Sequence, residues 1–440
     1  MKKLTLKRLD IFTPISKVQS APNEVFDIDN FLHFPILTHD DGSIWKHGSL
    51  YLLSKLKNYQ KPSPKTLDSI ATDLKHFKVY CEDEDIDYLS APRKVLRPTY
   101  LYRSYLQQLL RDGKISPNTI KRRMSAVVGF YEYLIDTEGV EFKFPLWESG
   151  ITSITYQDNQ GFKQSKQVKT KDVSRVVATS NPDLFDDAIV DGGRLHPLPH
   201  EQQIALVKAL KTIGNTEMTL GFLIALTTGA RIQTVFTLRK KHFERVLKDG
   251  ENEVKIKVGY GTDCDTKFNK IHTIIFPSWV YQKIRIYLNS PRYKKREEKA
   301  THIFEEQNKQ YIFLTNRGAP FYAAHDDPYR HLYKEVPNGA TVRQFIFTSL
   351  KKQLKNDGSE FNFSFHDLRA TFGMNLLDKL MPLVDGKELK LSHALIHIKE
   401  KMGHSSLSTT EKYLNFRERH KIKEQAQDNY ENYLMELLSE

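Results

Sequence analysis

Six residues able to bind or attack a phosphodiester lie in four short segments of the second half of the chain. They are Arg231, Lys267, His366, Arg369, His404 and Tyr413. An arginine presents a planar fork of donors that fits phosphate oxygens. A tyrosine hydroxyl, with a pKa near ~10, becomes a nucleophile once its proton is removed. Each residue alone has a common structural role, so the prediction of phosphate chemistry depends on their ordered combination.

The sequence around these residues indicates how helices position them. An apolar helix predicted over 216–226 ends before Gly229, and an arginine follows. His366 and Arg369 are three residues apart, a spacing that puts both on one helix face. Ser408 begins the string Ser-Thr-Thr-Glu, which predicts a capping box and a helix that carries Tyr413 in its second turn.

A phosphodiester resists attack because its oxygens are negative and its leaving alkoxide is poor. An enzyme without a metal must therefore supply positive charge around the developing phosphorane. Arg231 and Arg369 can clamp the non-bridging oxygens, and His404 can donate a further hydrogen bond. The sequence contains no P-loop, no glycine-rich dinucleotide motif and no metal-ligand spacing, so we expect neither a metal nor another cofactor.

Longer strings around these residues resemble the active-site motifs of the tyrosine recombinases, the phage-integrase family. They are Thr-Thr-Gly-Ala-Arg231, Phe-His366-Asp-Leu-Arg369-Ala-Thr-Phe and Met-Gly-His404-Ser-Ser-Leu-Ser-Thr-Thr-Glu-Lys-Tyr413. Together with Lys267 in a predicted hairpin turn, all six positions carry the family's residue types in the family's order. The resemblance covers about 200–418 strongly and 61–140 more loosely. One position departs from it: Thr234 stands where the family usually has an acidic residue that supports the first arginine.

The resemblance implies a site-specific DNA recombinase or integrase that cleaves and rejoins strands through a 3′-phosphotyrosine, without metal or ATP. His366 would assist removal of the Tyr413 proton, and Lys267 would act as general acid toward the departing 5′ oxygen. It further implies a tetramer of protomers on two DNA sites. The divergent N-terminus suggests an integrase of a mobile element.

The charge balance fits double-stranded DNA as the partner. Lys and Arg total 66 against 54 Asp and Glu, which gives a net charge of +12. We expect DNA contacts from basic residues near the start of one predicted helix and in a polar segment further on. These residues are Lys121, Arg122, Arg123, Lys163, Lys166 and Lys169. The polar segment could equally be an ordinary solvated loop.

The fold class predicted is mainly α with a small antiparallel β-sheet: an α+β catalytic domain plus an all-α N-terminal DNA-binding domain. The predicted divisions are an unassigned extension (1–60), a helical SAM-like core-binding domain (61–145), a basic linker (146–195), the catalytic domain (196–425) and a tail helix (426–440). The tail helix could pack on a neighbouring protomer or fold back on its own domain. The extension could bind an accessory DNA arm or brace the fold.

The location predicted is the cytoplasm of a bacterial cell, in association with the nucleoid. We find no signal peptide and no apolar run long enough to cross a bilayer. Only two cysteines occur, Cys81 and Cys264, far apart in the sequence, as expected of free thiols in a reducing compartment.

Three other functions remain open from the sequence. A type IB topoisomerase shares this chemistry but would act as a monomer without a specific site. A non-catalytic DNA-binding protein could retain a decayed recombinase fold, although the intact set of six residues argues against decay. A metal nuclease would need a carboxylate or histidine cluster, and the sequence offers no convincing one.

Overall fold

The computed structural model describes residues 1–14, 26–57, 62–157, 163–174, 188–300, 304, 306–333 and 335–439. The chain divides into two compact units, Met1–Asp183 and Leu184–Glu440.

Four α-helices form the centre of the described part of the N-terminal unit. In its described part the α-helices are α1 (Lys46–Ser54), α2 (Pro64–Asp83), α3 (Pro98–Arg111) and α4 (Pro117–Asp136). Helices α2 and α4 begin alike: Ser63 and Ser116 each accept a hydrogen bond from a backbone N–H three residues on, at 3.2 Å. A proline at the first helical position favours the same start. Helices α2, α3 and α4 lie within residues 61–145, where the sequence predicts a helical domain.

The core of this unit lies between α2 and α4, whose apolar faces repeat at helical spacing. Leu67, Leu74 and Phe77 of α2 are fully buried, and so are Ile120 and Val127 of α4. Burying each such side chain stabilises the fold by about 1.5–3 kcal/mol.

A long hairpin precedes these helices, in the segment for which the sequence predicts no structure. Strand β1 (Lys2–Pro14) pairs antiparallel with β2 (Phe26–Thr38), with Lys2 opposite Thr38. Phe31, Phe34 and Leu37 of β2 are buried in the same core as α2. The unit therefore adds a β-ribbon and α1 to the predicted helical domain.

The segment predicted as a basic linker over 146–195 folds in part as a second hairpin. Strand β3 (Ser149–Gln157) pairs with β4 (Lys163–Lys171), a hairpin that the sequence did not predict within the basic linker. Ile151 lies opposite Lys169, and Ile154 lies opposite Lys166. Polar residues make up most of β4, so no apolar alternation marks this strand in the sequence.

The C-terminal unit is built around an apolar helix. In its described part the α-helices are α5 (His200–Ile213), α6 (Thr216–Thr228), α7 (Ile232–Thr237), α8 (Ser278–Asn289), α9 (Pro291–Glu297), α10 (Ala340–Phe345), α11 (Lys351–Asn356), α12 (Asp367–Asp385), α13 (Leu391–Met402) and α14 (Leu407–Ser439). Helix α6 buries Leu220, Phe222 and Ile224, as expected of a helix that is apolar on most sides.

Two short antiparallel pairs complete the unit. Strand β5 (Ile189–Val190) pairs with β6 (Arg194–Leu195), and β7 (Glu253–Val258) pairs with β8 (His272–Pro277). The alternation that predicts β7 is confirmed, because Val254, Ile256 and Val258 all point into the core. The fold class is therefore helical with small antiparallel sheets, as predicted.

The last helix differs from the prediction at both ends. Helix α14 begins at Leu407, so Ser408 lies inside its first turn and does not cap it. The segment 426–440 was predicted as a separate tail helix, but α14 continues unbroken to Ser439. The reason is that no Gly or Pro interrupts residues 407–439. None of the helices that the structure describes is long and apolar enough to cross a membrane.

Candidate active site

The first arginine of the predicted set follows the end of α6. Gly229 ends the helix with a left-handed backbone, φ +66°, and a Cβ atom there would lie 2.6 Å from the Phe372 ring of α12. Glycine therefore fits this position on two grounds. The chain turns sharply, and Arg231 forms the N-terminal boundary of α7.

Arg369 lies in the first turn of α12 and is only 3% exposed. Its Nη1 donates to the Gly229 carbonyl and its Nη2 to the Met402 carbonyl, each at 2.8 Å. These carbonyls end α6 and α13, where the helix dipoles place partial negative charge. The ends of two helices thus fix the guanidinium.

His404 and Tyr413 lie on either side of the start of α14. His404 is buried, and its Nδ1 is 2.9 Å from Thr410 Oγ. Tyr413 is fully buried, its ring packed on Gly373 of α12 and 5.7 Å from the His404 ring. A Cβ atom at residue 373 would lie 2.5 Å from Tyr413 Cε1, so a glycine there leaves room for the nucleophile candidate.

Asp191, which the sequence did not indicate, lies at the centre of these residues. It is 4% exposed, in the turn between β5 and β6. Its Oδ2 accepts hydrogen bonds from Arg369 Nε at 2.7 Å, His404 Nε2 at 3.1 Å and the Tyr413 hydroxyl at 3.1 Å. Its Oδ1 accepts a bond from Arg231 Nη2 at 3.3 Å. Four of the six predicted residues therefore converge on one carboxylate.

The Asp191 carboxylate and its partners shift one another's pKa values. Burial alone would raise the pKa of Asp191, but the His404 hydrogen bond and the Arg369 charge outweigh it and hold that pKa well below its usual range. Burial raises the pKa of Tyr413, and the Asp191 charge and hydrogen bond add to the rise. Burial lowers the pKa of His404. The histidine is then neutral, donates through Nε2 and accepts from Thr410 through Nδ1.

Lys267 and His366 lie at the margin of this group. Lys267 is exposed, and a Cβ atom at Gly192 would lie 2.8 Å from its Nζ and 3.8 Å from Arg231 Nη2. His366 is half-buried immediately before α12. Burial lowers its pKa, and the charges of Arg231 and Arg369 lower it further, so the ring is neutral near pH 7.

One further histidine, which the sequence did not indicate, also lies near the site. His272, the first residue of β8, packs against Gly403, where a Cβ atom would lie 2.9 Å from its ring. Burial lowers the pKa of His272, with smaller effects from Arg369 and Arg231. No motif marks His272, because only the fold brings β8 to the end of α13.

The residues predicted to contact DNA have different surroundings. Lys121 is exposed on α4, and Lys166 and Lys169 are exposed on β4. Lys163 begins β4, but its side chain lies outside the described residues. Arg122 Nη2 pairs with Asp73 at 3.1 Å, and Arg123 Nη1 is 2.9 Å from His76 Nε2. Both arginines are therefore held by partners within their own unit.

Comparisons with known sequences agree with these motifs. The profile described as the phage integrase family matches residues 197–420, and that of the phage integrase N-terminal SAM-like domain matches residues 51–138. A comparison with curated proteins gives no match.

Similar solved structures include two of the Tn1549 transposon integrase. One is in complex with transposon right end DNA, with 16% identity over 83% of this chain and 93% of that one and a TM-score of 0.44. Another is in complex with circular intermediate DNA, with 14% identity over 83% and 94% and a TM-score of 0.42. A lambda integrase dimer bound to a COC′ core site has 13% identity over 83% and 93% and a TM-score of 0.46. At these values the likeness is distant.

Proposed function

This chain belongs to the phage integrase family of tyrosine site-specific recombinases, and we propose that it cleaves and rejoins DNA strands through a covalent bond between Tyr413 and a DNA phosphate. The tyrosine oxygen attacks the phosphorus while the bond to the 5′ oxygen breaks. The products are a 3′-phosphotyrosine and a free 5′ hydroxyl. The phosphoester bond is exchanged and not hydrolysed, so rejoining to a new 5′ hydroxyl requires neither ATP nor a metal.

The convergence of four donors on one anion carries this proposal. Arg231, Arg369, His404 and Tyr413 all bond to the Asp191 carboxylate, whose two oxygens stand in for those of a phosphate. A pocket that binds a carboxylate in this way is suited to the negative oxygens of a phosphorane.

Arg231 has a further donor available for DNA. Its Nε is buried and has no hydrogen-bond partner among the described residues. A buried donor without an acceptor costs about 1–3 kcal/mol. A phosphate oxygen in the pocket can remove that cost, which favours binding of the substrate.

Lys267 and His366 are suited to the two proton transfers. His366 is neutral near pH 7 and can accept the Tyr413 proton, directly or through a water molecule. Lys267 is exposed beside Gly192 and Arg231, where its ammonium can donate a proton to the leaving 5′ oxygen. The two groups thus act on opposite ends of the in-line exchange.

The basic surface of the N-terminal unit is suited to the DNA backbone. Successive residues of a strand point to opposite faces, so Lys166 and Lys169 give the β3–β4 ribbon positive charge on both faces. Lys121 adds an exposed charge at the start of α4. We expect these residues to contact phosphates without reading the sequence, and binding to weaken steeply with salt.

The tail of α14 is suited to assembly of the tetramer on two DNA sites. The chain runs on from Tyr413 as one helix, and Tyr433, Leu434, Leu437 and Leu438 are exposed on it. Exposed apolar groups of this kind fit a protein interface. The structure thus favours packing on a neighbouring protomer over folding back, in a complex assembled on bacterial DNA in the cytoplasm.

Covalent capture tests the proposed function. Purified protein is mixed with sheared DNA that contains the flanks of its gene, and adducts are trapped in detergent, sequenced and assayed for free 5′ hydroxyl ends. We expect adduct formation that survives a chelator and is abolished by Tyr413→Phe, with DNA binding unchanged. An adduct in the Tyr413→Phe protein would assign the nucleophile elsewhere, with Tyr430 and Tyr433 next to test. Relaxation of a plasmid without a captured site would favour a topoisomerase.

A further inference from the structure

We propose that the turn between β5 and β6 is a built-in plug: the Asp191 carboxylate occupies the phosphate position and keeps the enzyme inactive until DNA displaces it. This inference rests on the proposed function, because it assigns the same pocket to a phosphate of DNA. It goes further in giving the resting enzyme an internal competitor of its own substrate.

The contacts of Asp191 are those that a bound phosphate requires. His404 Nε2 and the Tyr413 hydroxyl each carry one proton, and in this structure both donate it to Asp191 Oδ2. Neither group can make that bond and serve a phosphate at the same time. Occupation of the pocket by Asp191 and by DNA is therefore mutually exclusive.

Charge also excludes joint occupation. Asp191 remains ionised because two guanidinium groups and His404 surround it. A phosphodiester that entered beside the ionised carboxylate would meet a like charge in a site shielded from water. The two guanidinium groups would then neutralise the Asp191 carboxylate and not the charge of the transition state.

The same contact keeps the nucleophile inactive. The Tyr413 side chain is fully buried, and its hydroxyl donates to an anion. A hydrogen bond to the phenol and the adjacent negative charge both disfavour the phenolate. Both effects oppose the ionisation that attack requires, so Asp191 acts against catalysis while it stays in place.

The local backbone is built so that the turn can move. Strands β5 and β6 have two residues each, and Gly192, at φ +73°, and Gly193 follow Asp191 directly. Glycines allow large backbone rotations at little steric cost. The chain beyond the turn is held firmly: His196 N–H donates to Asp367 and Leu198 N–H to Thr371. Movement can therefore be confined to the plug.

The Gly192 backbone also lies close to two further residues of the site. A Cβ atom at Gly192 would lie 2.8 Å from Lys267 Nζ and 3.8 Å from Arg231 Nη2. The turn thus lies over the buried Tyr413 hydroxyl and beside Arg231 and Lys267. Its withdrawal would open a path from the attacking group to a phosphate held next to the clamp and the general acid.

Phosphate binding tests the plug without any DNA site. The full-length wild-type, Asp191→Ala and Asp191→Asn proteins are titrated with inorganic phosphate by calorimetry at constant ionic strength. The control is Asp378→Asn, which removes a half-exposed carboxylate paired with Arg417 in the same unit. We expect both Asp191 variants to bind phosphate at least ~10-fold more tightly than the wild type and the control. Equal affinities in all four proteins, or a loss of binding in the Asp191 variants, would overturn the plug.

A reversible lock tests it on DNA, and does so even if the Asp191 variants do not fold. Val190 lies within reach of the Lys412 side chain, whose Nζ donates to its carbonyl at 3.3 Å, so the pair Val190→Cys and Lys412→Cys can be joined across the plug and α14 by a short thiol-reactive cross-linker that contains a reducible disulfide. We expect little adduct from the cross-linked protein, recovery on reduction, and no effect of cross-linker or reductant in either single variant. Equal adduct from cross-linked and reduced protein contradicts the plug. If Tyr413 is not the nucleophile, Tyr413→Phe still forms adduct, while the phosphate titration reports on the pocket independently.

Discussion

A cluster in helices α2, α3 and α4 of the N-terminal unit has the same composition as the group around Asp191: one aspartate, one histidine, one tyrosine and two arginines. It is formed by Asp73, His76, Tyr102, Arg122 and Arg123, and we call it the α2–α4 cluster. Its carboxylate, like Asp191, is almost fully buried. The two groups therefore differ in arrangement and not in composition.

In the α2–α4 cluster the hydrogen bonds run in series. The Tyr102 hydroxyl bonds to His76 Nδ1 at 2.8 Å, and His76 Nε2 bonds to Arg123 Nη1 at 2.9 Å. Arg122 pairs with Asp73 Oδ1, while Asp73 Oδ2 has no partner among the described residues. Around Asp191, by contrast, donors meet at one anion. The comparison teaches that convergence on a single acceptor, and not the residue types, distinguishes the proposed phosphate pocket from the α2–α4 cluster.

The pKa values record the same difference. Burial raises the pKa of Asp73 because the two arginines only partly offset it. The pKa of Asp191 lies well below its usual range because the surrounding donors outweigh burial. In the α2–α4 cluster, burial and then the Arg123 charge lower the pKa of His76 to about 4.

Arginine removal should separate the two groups most strongly. We expect Arg369→Ala to slow adduct formation at least ~10²-fold, because one preorganised charge donor is lost. Arg123→Ala should leave the rate unchanged and only reduce stability. The rates are measured on folded protein below both melting temperatures. Equal rates for Arg369→Ala and the wild type would remove Arg369 from the site.

The two carboxylates should respond oppositely to pH. A lowered folded pKa stabilises the protein above the unfolded value near ~3.9, and the contribution is lost as pH falls through the folded pKa. The stability advantage of wild type over Asp191→Asn should therefore shrink below about pH 5. A raised folded pKa works the other way, so the stability of the wild type relative to Asp73→Asn should increase as pH falls. Urea unfolding between pH 7 and 4 measures both stability differences. If both changed in the same direction with pH, the contrast between the two carboxylates would be contradicted.

The two tyrosines should differ in what their hydroxyls do. Tyr102→Phe removes one neutral hydrogen bond to His76, at an expected cost of about 1 kcal/mol of unfolding free energy. Adduct formation should not change, whereas Tyr413→Phe abolishes it. Chemical denaturation and the capture assay give the two quantities. A Tyr102→Phe protein that failed to form adduct would require a role for the α2–α4 cluster in the reaction.

The smallest effect is expected beside the α2–α4 cluster, at Lys121. Its exposed ammonium, unlike the neighbouring arginines, is available to a phosphate. Lys121→Ala should lower the slope of log affinity against log salt by about 1 and leave sequence preference unchanged. DNA binding measured over a salt series checks this, with Lys114→Ala, which removes a lysine paired with Asp112, as the control. An unchanged slope would place the DNA elsewhere.

Much of the fold could be predicted because the periodicity of a helix or strand is visible in a short stretch of sequence. The periodic faces of α2 and α4 and the alternation of β7 were sufficient, and the strings around Arg231 and Tyr413 indicated the family. The β3–β4 ribbon and the full length of α14 were missed. The β3–β4 ribbon has mostly exposed, polar residues, so no buried face imposes a period on them. The charged stretch that begins near residue 420 separates the two helical patterns that α14 joins.

Asp191 could not be predicted for a different reason. Asp-Gly-Gly indicates a turn and nothing more. Its partners Arg231, Arg369, His404 and Tyr413 lie 40, 178, 213 and 222 residues away, so the fold alone brings them together.

Helix α14 makes Tyr413 part of a stiff rod. About 25 residues separate the tyrosine from Leu438, which at about 1.5 Å per residue is nearly 40 Å of uninterrupted helix. Without a Gly or Pro to bend it, a twist or tilt applied at the far end is transmitted to the hydroxyl with little damping. A partner that binds the last turns of α14 can therefore change the orientation of the proposed nucleophile.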